Sequence, residues 1–189
     1  MHISKFRIVK YNHLTKKTID KIYNLDKKNY GEEKTWDKEY QKDIYNKNTD
    51  SLFIVTYKHE LVGYINYLNI EKEEYERLKK IRKLPNILDL NKIIKFKKNR
   101  KNYLLIESIN IKKEYEKEKS IELIHKKIKS FINKKYRQNV LINSILFFAT
   151  SNFEKEICEY MKLNKIKKLD DNTYIYELIE EDRKRDYIK

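Results

Sequence analysis

Glycine and proline are nearly missing: the 189 residues hold two glycines and one proline. That scarcity excludes a Walker loop and a dinucleotide fingerprint, both of which need several glycines at fixed spacing. No nucleophile elbow is present either. The single cysteine, Cys158, excludes an internal disulfide and points to a reducing compartment. It is expected to pack as a small apolar residue. The four histidines, His2, His13, His59 and His125, are scattered, and none makes a metal-ligand spacing with Cys158. No apolar run is long enough to span a membrane, and the opening MHISKFRIVK lacks the apolar stretch of a signal peptide. A soluble, cytoplasmic protein is the expectation.

What is abundant is charge and tyrosine. Lys and Arg number 44 against 29 Asp and Glu, a formal net charge of +15. Such a balance suits nucleic acid. It also suits a genome whose codons favour Lys, Asn, Ile and Tyr over Gly and Pro, which would load any solvated surface with lysine. Aromatic residues make up 13% of the chain, sixteen of them tyrosines, enough to build a core. The length fits one domain.

Along the chain, residues 6–11 alternate apolar and basic and read as a strand. Thr18 is placed to cap a helix with Ile19, Ile22 and Tyr23 on one face. Trp36, Tyr40 and Ile44 recur four apart, as on a second helix. The strongest strand signal is SLFIVTY, a short polar turn, then LVGYINYLNI, which together read as a hairpin. YLLIESINI (103–111) is a further strand, residues 120–136 a helix, and 145–149 a wholly apolar strand suited to burial. Residues 152–163 read as a helix with Phe153, Ile157, Tyr160 and Met161 inward, and 173–178 as a closing strand, with a short strand possible to draw near 166–169. The order predicts an α/β, α+β-type mixed sheet with helices on both faces. Residues 71–102 form a long insert with a charged helix ended by Pro85, apolar residues Leu84, Ile87, Leu88, Leu90, Ile93 and Ile94 for docking, and the basic run Lys95, Lys97, Lys98, Arg100 and Lys101. One domain over 1–178 and a charged tail at 179–189 are expected.

Three segments resemble the GNAT N-acetyltransferase superfamily. The hairpin with Val62-Gly63-Tyr64 is similar to that family's second and third strands. Ile106-Glu-Ser-Ile-Asn-Ile111 followed by Lys113-Glu114-Tyr115 is similar to its fourth strand and the entry to its cofactor loop. Asn152 with Tyr160-Met-Lys-Leu-Asn164 is similar to the exit of its fifth strand and the helix that follows. The resemblance implies an acyl-CoA N-acyltransferase fold, acetyl-CoA as donor and a primary amine, of a small molecule or a protein, as acceptor. It implies a pantetheine arm hydrogen-bonded near Ile109 and Ile111 and by Asn152, and a pyrophosphate loop before the long helix, where free N–H groups and the dipole attract phosphate. It implies Tyr160 as proton donor to the departing thiolate, and Glu107 is a candidate general base. Ile106, Ile109 and Ile111 are expected to desolvate Glu107 and raise its pKa.

The loop departs from the family's glycine-bearing pattern. Glu116-Lys117-Glu118-Lys119-Ser120-Ile121 has no glycine, with Lys119 and Ile121 where small residues are usual. Glycine serves such loops by reaching unusual φ and allowing close approach. Lys117 and Lys119 could offset the two acids. Read plainly, the stretch is a solvated helix start with Ser120 as cap, Tyr160 a core tyrosine, Glu107 a lysine-paired surface glutamate and Asn152 a cap. Two classes of function therefore stand: an acetyltransferase, or a degenerate GNAT-fold module acting on nucleic acid or a protein through its basic surface.

Overall fold

The computed structural model describes residues 6–10, 15–47, 52–84, 88–170 and 172–179. His2, His13, Pro85, Ile87 and the tail from 180 lie outside the described residues.

Seven strands form one sheet in the order β1-β2-β3-β4-β5-β7-β6: β1 (Phe6–Lys10), β2 (Leu52–Tyr57), β3 (Glu60–Ile70), β4 (Lys101–Ile111), β5 (Leu141–Ala149), β6 (Asn164–Lys168) and β7 (Tyr174–Ile179). Among the described strands, β4 and β5 are the one parallel pair. The hairpin turn is Lys58-His59, both with positive φ (48° and 70°), so the tight two-residue geometry is met without glycine.

Among the described residues, five α-helices flank the sheet: α1 (Lys16–Tyr30), α2 (Lys38–Lys47), α3 (Lys72–Lys80), α4 (Glu118–Arg137) and α5 (Asn152–Tyr160). On one face, the α4 stripe Ile121, Ile124, Ile128, Phe131 and Ile132 meets Phe153 and Ile157 of α5 over Leu104, Ile106 and Phe147. On the other, Ile22, Leu25, Ile44, Tyr45, Tyr75 and Leu78 of α1, α2 and α3 cover Leu105, Leu146 and Phe148. Helices thus cover both faces.

Several boundaries differ from the sequence reading. Thr15, not Thr18, caps α1, and Thr18 packs behind it with its hydroxyl 2.9 Å from that of Thr15. Trp36 precedes α2 and stands edge-on to Tyr40 at 5.0 Å. Helix α3 stops at Lys80, well before Pro85, where Ile81 turns extended. Beyond it Leu88 and Ile93 are buried, and Ile93 bridges to Ile70, so this connection packs on the body. Phe96 lies on Phe131 beneath the Lys135 ammonium, 4.2 Å from its ring centre. Asn102 fastens the basic run by bonding the backbone of Lys97 and Arg100.

Gly63 sits opposite Ile111 at the end of β4. A Cβ there would lie 2.6 Å from the Asn110 carbonyl oxygen and 3.0 Å from the Ile111 Cα, so only glycine lets β3 stay flush against this part of β4.

Candidate active site at the strand splay

Strands β4 and β5 part company midway. Their parallel pairing runs from Lys101↔Leu141 to Ile106↔Phe147. Past that point β5 pairs only with β7 and β4 only with β3, so residues 107–111 of β4 have no partner from β5. The departure coincides with a β-bulge. Asn66 faces Ser108 and Tyr67 faces Ile106, which leaves Glu107 as the extra residue. The insertion flips the alternation: Leu104 and Ile106 belong to the α4/α5 layer, and so do Ile109 and Ile111. Glu107 is thereby turned toward the α1/α2 side, into a cleft of about 740 Å³.

The Glu107 carboxylate accepts a hydrogen bond from Asn66 Nδ2 at 3.0 Å. Burial raises its pKa from 4.5 to about 8, against the Asn66 bond that lowers it, with Asp26 and Glu154 adding repulsion. The shift has the expected sign and cause. The groups around the carboxylate differ from those expected, since Ile106, Ile109 and Ile111 lie in the opposite core layer.

The sequence reading passed over the rest of this wall. Asp26 of α1 is buried and accepts from Tyr64 Oη (2.7 Å), Asn110 Nδ2 (2.6 Å) and Gln41 Nε2 (3.0 Å). Burial lifts it to about 6. Ser108 donates to Tyr64 Oη at 3.1 Å, which ties Asp26 to the bulge. Asn29 reaches from α1 to the Ile111 carbonyl at 2.9 Å. Glu154 is buried in the capping box that opens α5. Its Oε2 collects the backbone N–H groups and hydroxyls of Thr150 and Ser151, and the Tyr30 hydroxyl points at its Oε1 from 3.4 Å. Desolvation raises Glu154 and, strongly, Tyr30. The capping box was readable as Ser-x-x-Glu at 151–154. Asp26 was not, because a lone acid between Leu25 and Lys27 reads as solvent-facing.

Of the residues singled out in the sequence, the cleft is lined by Glu107, Ile109, Glu116 and Asn152, and not by Tyr160, Ile111, Lys117, Lys119, Ser120 or Ile121. Ser151, not Asn152, caps α5, and Asn152 is exposed at the cleft. Tyr160 points outward, 45% exposed, edge-on to His125 of α4 at 5.3 Å.

The loop between β4 and α4 is a 3₁₀ turn over Lys113–Tyr115, then Glu116, with Lys117 as N-cap. Ser120 is not the cap. It lies buried inside the first turn and donates its hydroxyl to the Tyr115 carbonyl at 2.6 Å. No residue from 112 to 121 has a positive φ, so this backbone path needs no glycine. Lys117 and Lys119 are exposed, while Ile121 is a core residue, 6% exposed. Among the described residues no group of three or more His, Cys, Asp or Glu could hold a metal ion, and no helix is long and apolar enough to cross a membrane.

A mixed sheet whose parallel pair splays at a bulge, with a helix-start loop after the first strand of that pair, defines the GNAT acyl-CoA N-acyltransferase fold. Solved structures of that fold superpose on nearly the whole chain. NAA60 of Arabidopsis thaliana, crystallised with acetyl-CoA, matches with a TM-score of 0.64 at 9% identity over 92% of this chain and 99% of that one. The loading GNATL domain of CurA from Lyngbya majuscula matches with a TM-score of 0.65 at 10% identity, over 91% of this chain and 96% of that one. A chain of the NatC complex bound to Gag peptide and CoA gives 0.60 at 10% identity, over 93% and 97%. The sequence itself matches no protein-family model and none of the curated proteins. At such identities the likeness establishes the fold.

Proposed function

We propose that the protein is an N-acyltransferase that takes acetyl-CoA as donor and a primary amine as acceptor. The observation that carries this reading is Glu107, delivered by a bulge to the open end of the β4/β5 splay and facing an acidic cleft. The residues fit the donor in two ways. Residues 107–111 of β4 present backbone that β5 does not use, Ile109 and Ile111 among them, and the start of α4 carries exposed Lys117 and Lys119 for phosphate. Bound there, acetyl-CoA supplies an activated thioester carbonyl.

This chain's residues do the rest. The cleft receives the amine, whose proton passes to Glu107, directly or through water. A carboxylate that titrates near 8 is well matched to an ammonium near neutral pH. Asn66 fixes the carboxylate. The family resemblance assigns protonation of the departing thiolate to Tyr160, which lies outside the cleft lining and open to solvent at the end of α5. Asn152 and Glu116 at the cleft border the donor's path, and buried Ser120 and Ile121 hold the loop behind them. Saturating acetyl-CoA should raise the melting temperature by about 5–10 °C, the expected effect for a ligand at a hundred times its dissociation constant. No shift at saturation would remove the donor from this reading.

One observation supports the second reading, a binding module. Lys95, Lys97, Lys98, Arg100 and Lys101 are all exposed, make no ion pair among the described residues, and sit on backbone that Asn102 holds in place. If they grip duplex DNA, log affinity should fall against log salt with a slope of about −4 to −5. A flat dependence, or no binding at low salt, returns the charge to composition.

A further inference from the structure

The cleft is acidic inside a basic protein, and its polar groups are mismatched in one direction. Five carboxylates line it, Asp26, Glu33, Glu107, Glu116 and Glu154, against two cations, Lys83 and Lys113. Lys113 acts on Glu116, whose pKa it lowers against the dominant effect of burial. Asp26, Glu107 and Glu154 make no ion pair among the described residues. Neutral donors hold them instead: Tyr64, Asn110 and Gln41 give to Asp26, Asn66 gives to Glu107, and Thr150 and Ser151 give to Glu154.

Those bonds turn the Tyr64, Gln41, Asn66, Asn110, Thr150 and Ser151 donors toward the carboxyl groups. Two buried amide oxygens are left over as acceptors. Asn66 and Gln41 are 1% and 3% exposed, both line the cleft, and the amide oxygen of each has no hydrogen-bond partner among the described residues. Unpaired buried acceptors and buried acids without a cationic partner are costly to keep, so their occurrence together points to a ligand. That ligand donates many hydrogen bonds, accepts few and carries positive charge. Trp36 and Tyr45 bring aromatic rings to the lining, and Leu84, Leu88 and Ile44 bring apolar wall for methylenes. A peptide would bring carbonyl oxygens, which the wall's acids and free amide oxygens do not pair.

We infer that the acceptor is a linear di- or polyamine, with one terminal nitrogen presented to Glu107 and a second ammonium held by Asp26. The inference rests on the transferase reading only for the word acceptor. The site itself stands on the cleft. Calorimetry on the full chain without donor, near neutral pH and at physiological salt, tests it with spermidine and n-butylamine. Spermidine should bind tighter by about ten- to a hundredfold, the increment of an added charge-assisted contact. Asp26→Asn should bring spermidine toward butylamine and leave butylamine within about twofold. If that variant does not fold, the wild-type comparison decides alone. Equal affinities for the two amines, no binding of either, or tighter binding of a short peptide with a free N-terminus overturns the assignment. Acetyl-CoA is titrated separately. Spermidine bound without any affinity for acetyl-CoA ends the transferase reading and supports the polyamine site, whereas acetyl-CoA bound with no preference for spermidine does the reverse.

Discussion

Glu107 makes stability and activity pull in opposite directions as pH rises. Its folded pKa, about 8, lies above the ordinary 4.5, so the folded state binds the proton more tightly than the unfolded chain. The stability this contributes is complete below about 4.5 and is lost as pH climbs through 8. Asp26, raised to about 6, loses its share earlier, between about 4 and 6. Glu107→Gln should therefore raise the melting temperature at pH 9 by several degrees and change it little near pH 4, read by thermal scans across pH. The same variant should lose the rise of kcat/KM through pH 8 that a general base produces. A melting curve displaced equally at both pH values would show that the carboxyl does not titrate as its burial implies. Tyr160→Phe should slow turnover and leave acetyl-CoA affinity nearly unchanged, the mark of a contact made in the transition state. Unchanged turnover would take Tyr160 out of the reaction. Glu107 was legible as a candidate because an acid amid Ile106, Ile109 and Ile111 stands out. Its orientation left a trace that the expectation of an isoleucine-lined carboxylate passed over: two adjacent polar residues, Glu107 and Ser108, separate Ile106 from Ile109 and break the alternation where the bulge falls. The inward packing expected of Tyr160 does not hold: spacing put it with Phe153 and Ile157, but it is the last residue of α5 and its ring turns to His125.

At the scale of elements, the loop before α4 replaces the argument from glycine with one from packing. Its backbone stays in ordinary φ space, and Ile121 anchors the first turn of α4 in the core beside Ile124. Lys119→Gly should cost up to about 1 kcal/mol, the helix-propensity difference alone. Ile121→Gly should cost about 3–5 kcal/mol, because it removes a buried side chain as well. Denaturant midpoints distinguish the two. If both cost the same, Ile121 is not holding the loop. Neither glycine should improve acetyl-CoA binding, since the path they would permit is already open to other residues. The periodic elements were readable in the sequence: the α4 stripe, the hairpin and the apolar 145–149 strand each bury the residues their spacing predicted. What periodicity could not give was the order at the sheet's edge, where β7 inserts between β5 and β6. That depends on which strand β5 meets after it leaves β4, a tertiary choice with no local signature.

For the whole molecule, charge is sorted by place. A chain of net charge +15 encloses a cleft with five acids and two lysines. The outer field attracts a polyphosphate donor and repels a cationic acceptor, while the inner carboxylates hold the acceptor at short range. These two terms respond differently to salt. The exterior field is screened as the Debye length falls from about 30 Å at 0.01 M to about 8 Å at 0.15 M, but contacts within a partly buried cleft are screened much less. Raising salt over this range should therefore increase the KM for acetyl-CoA by several-fold, as the outer attraction fades. The KM for a polyamine acceptor should stay level or fall, because the same screening removes the barrier to its approach. Neutralising Lys117 and Lys119 together should flatten the donor's dependence and leave the acceptor's alone. Steady-state kinetics with each substrate varied in turn checks all three outcomes. If both KM values rise in parallel, the acceptor is gripped by surface charge rather than by the cleft, and the separation of a basic exterior from an acidic interior has no part in how this protein chooses its substrates.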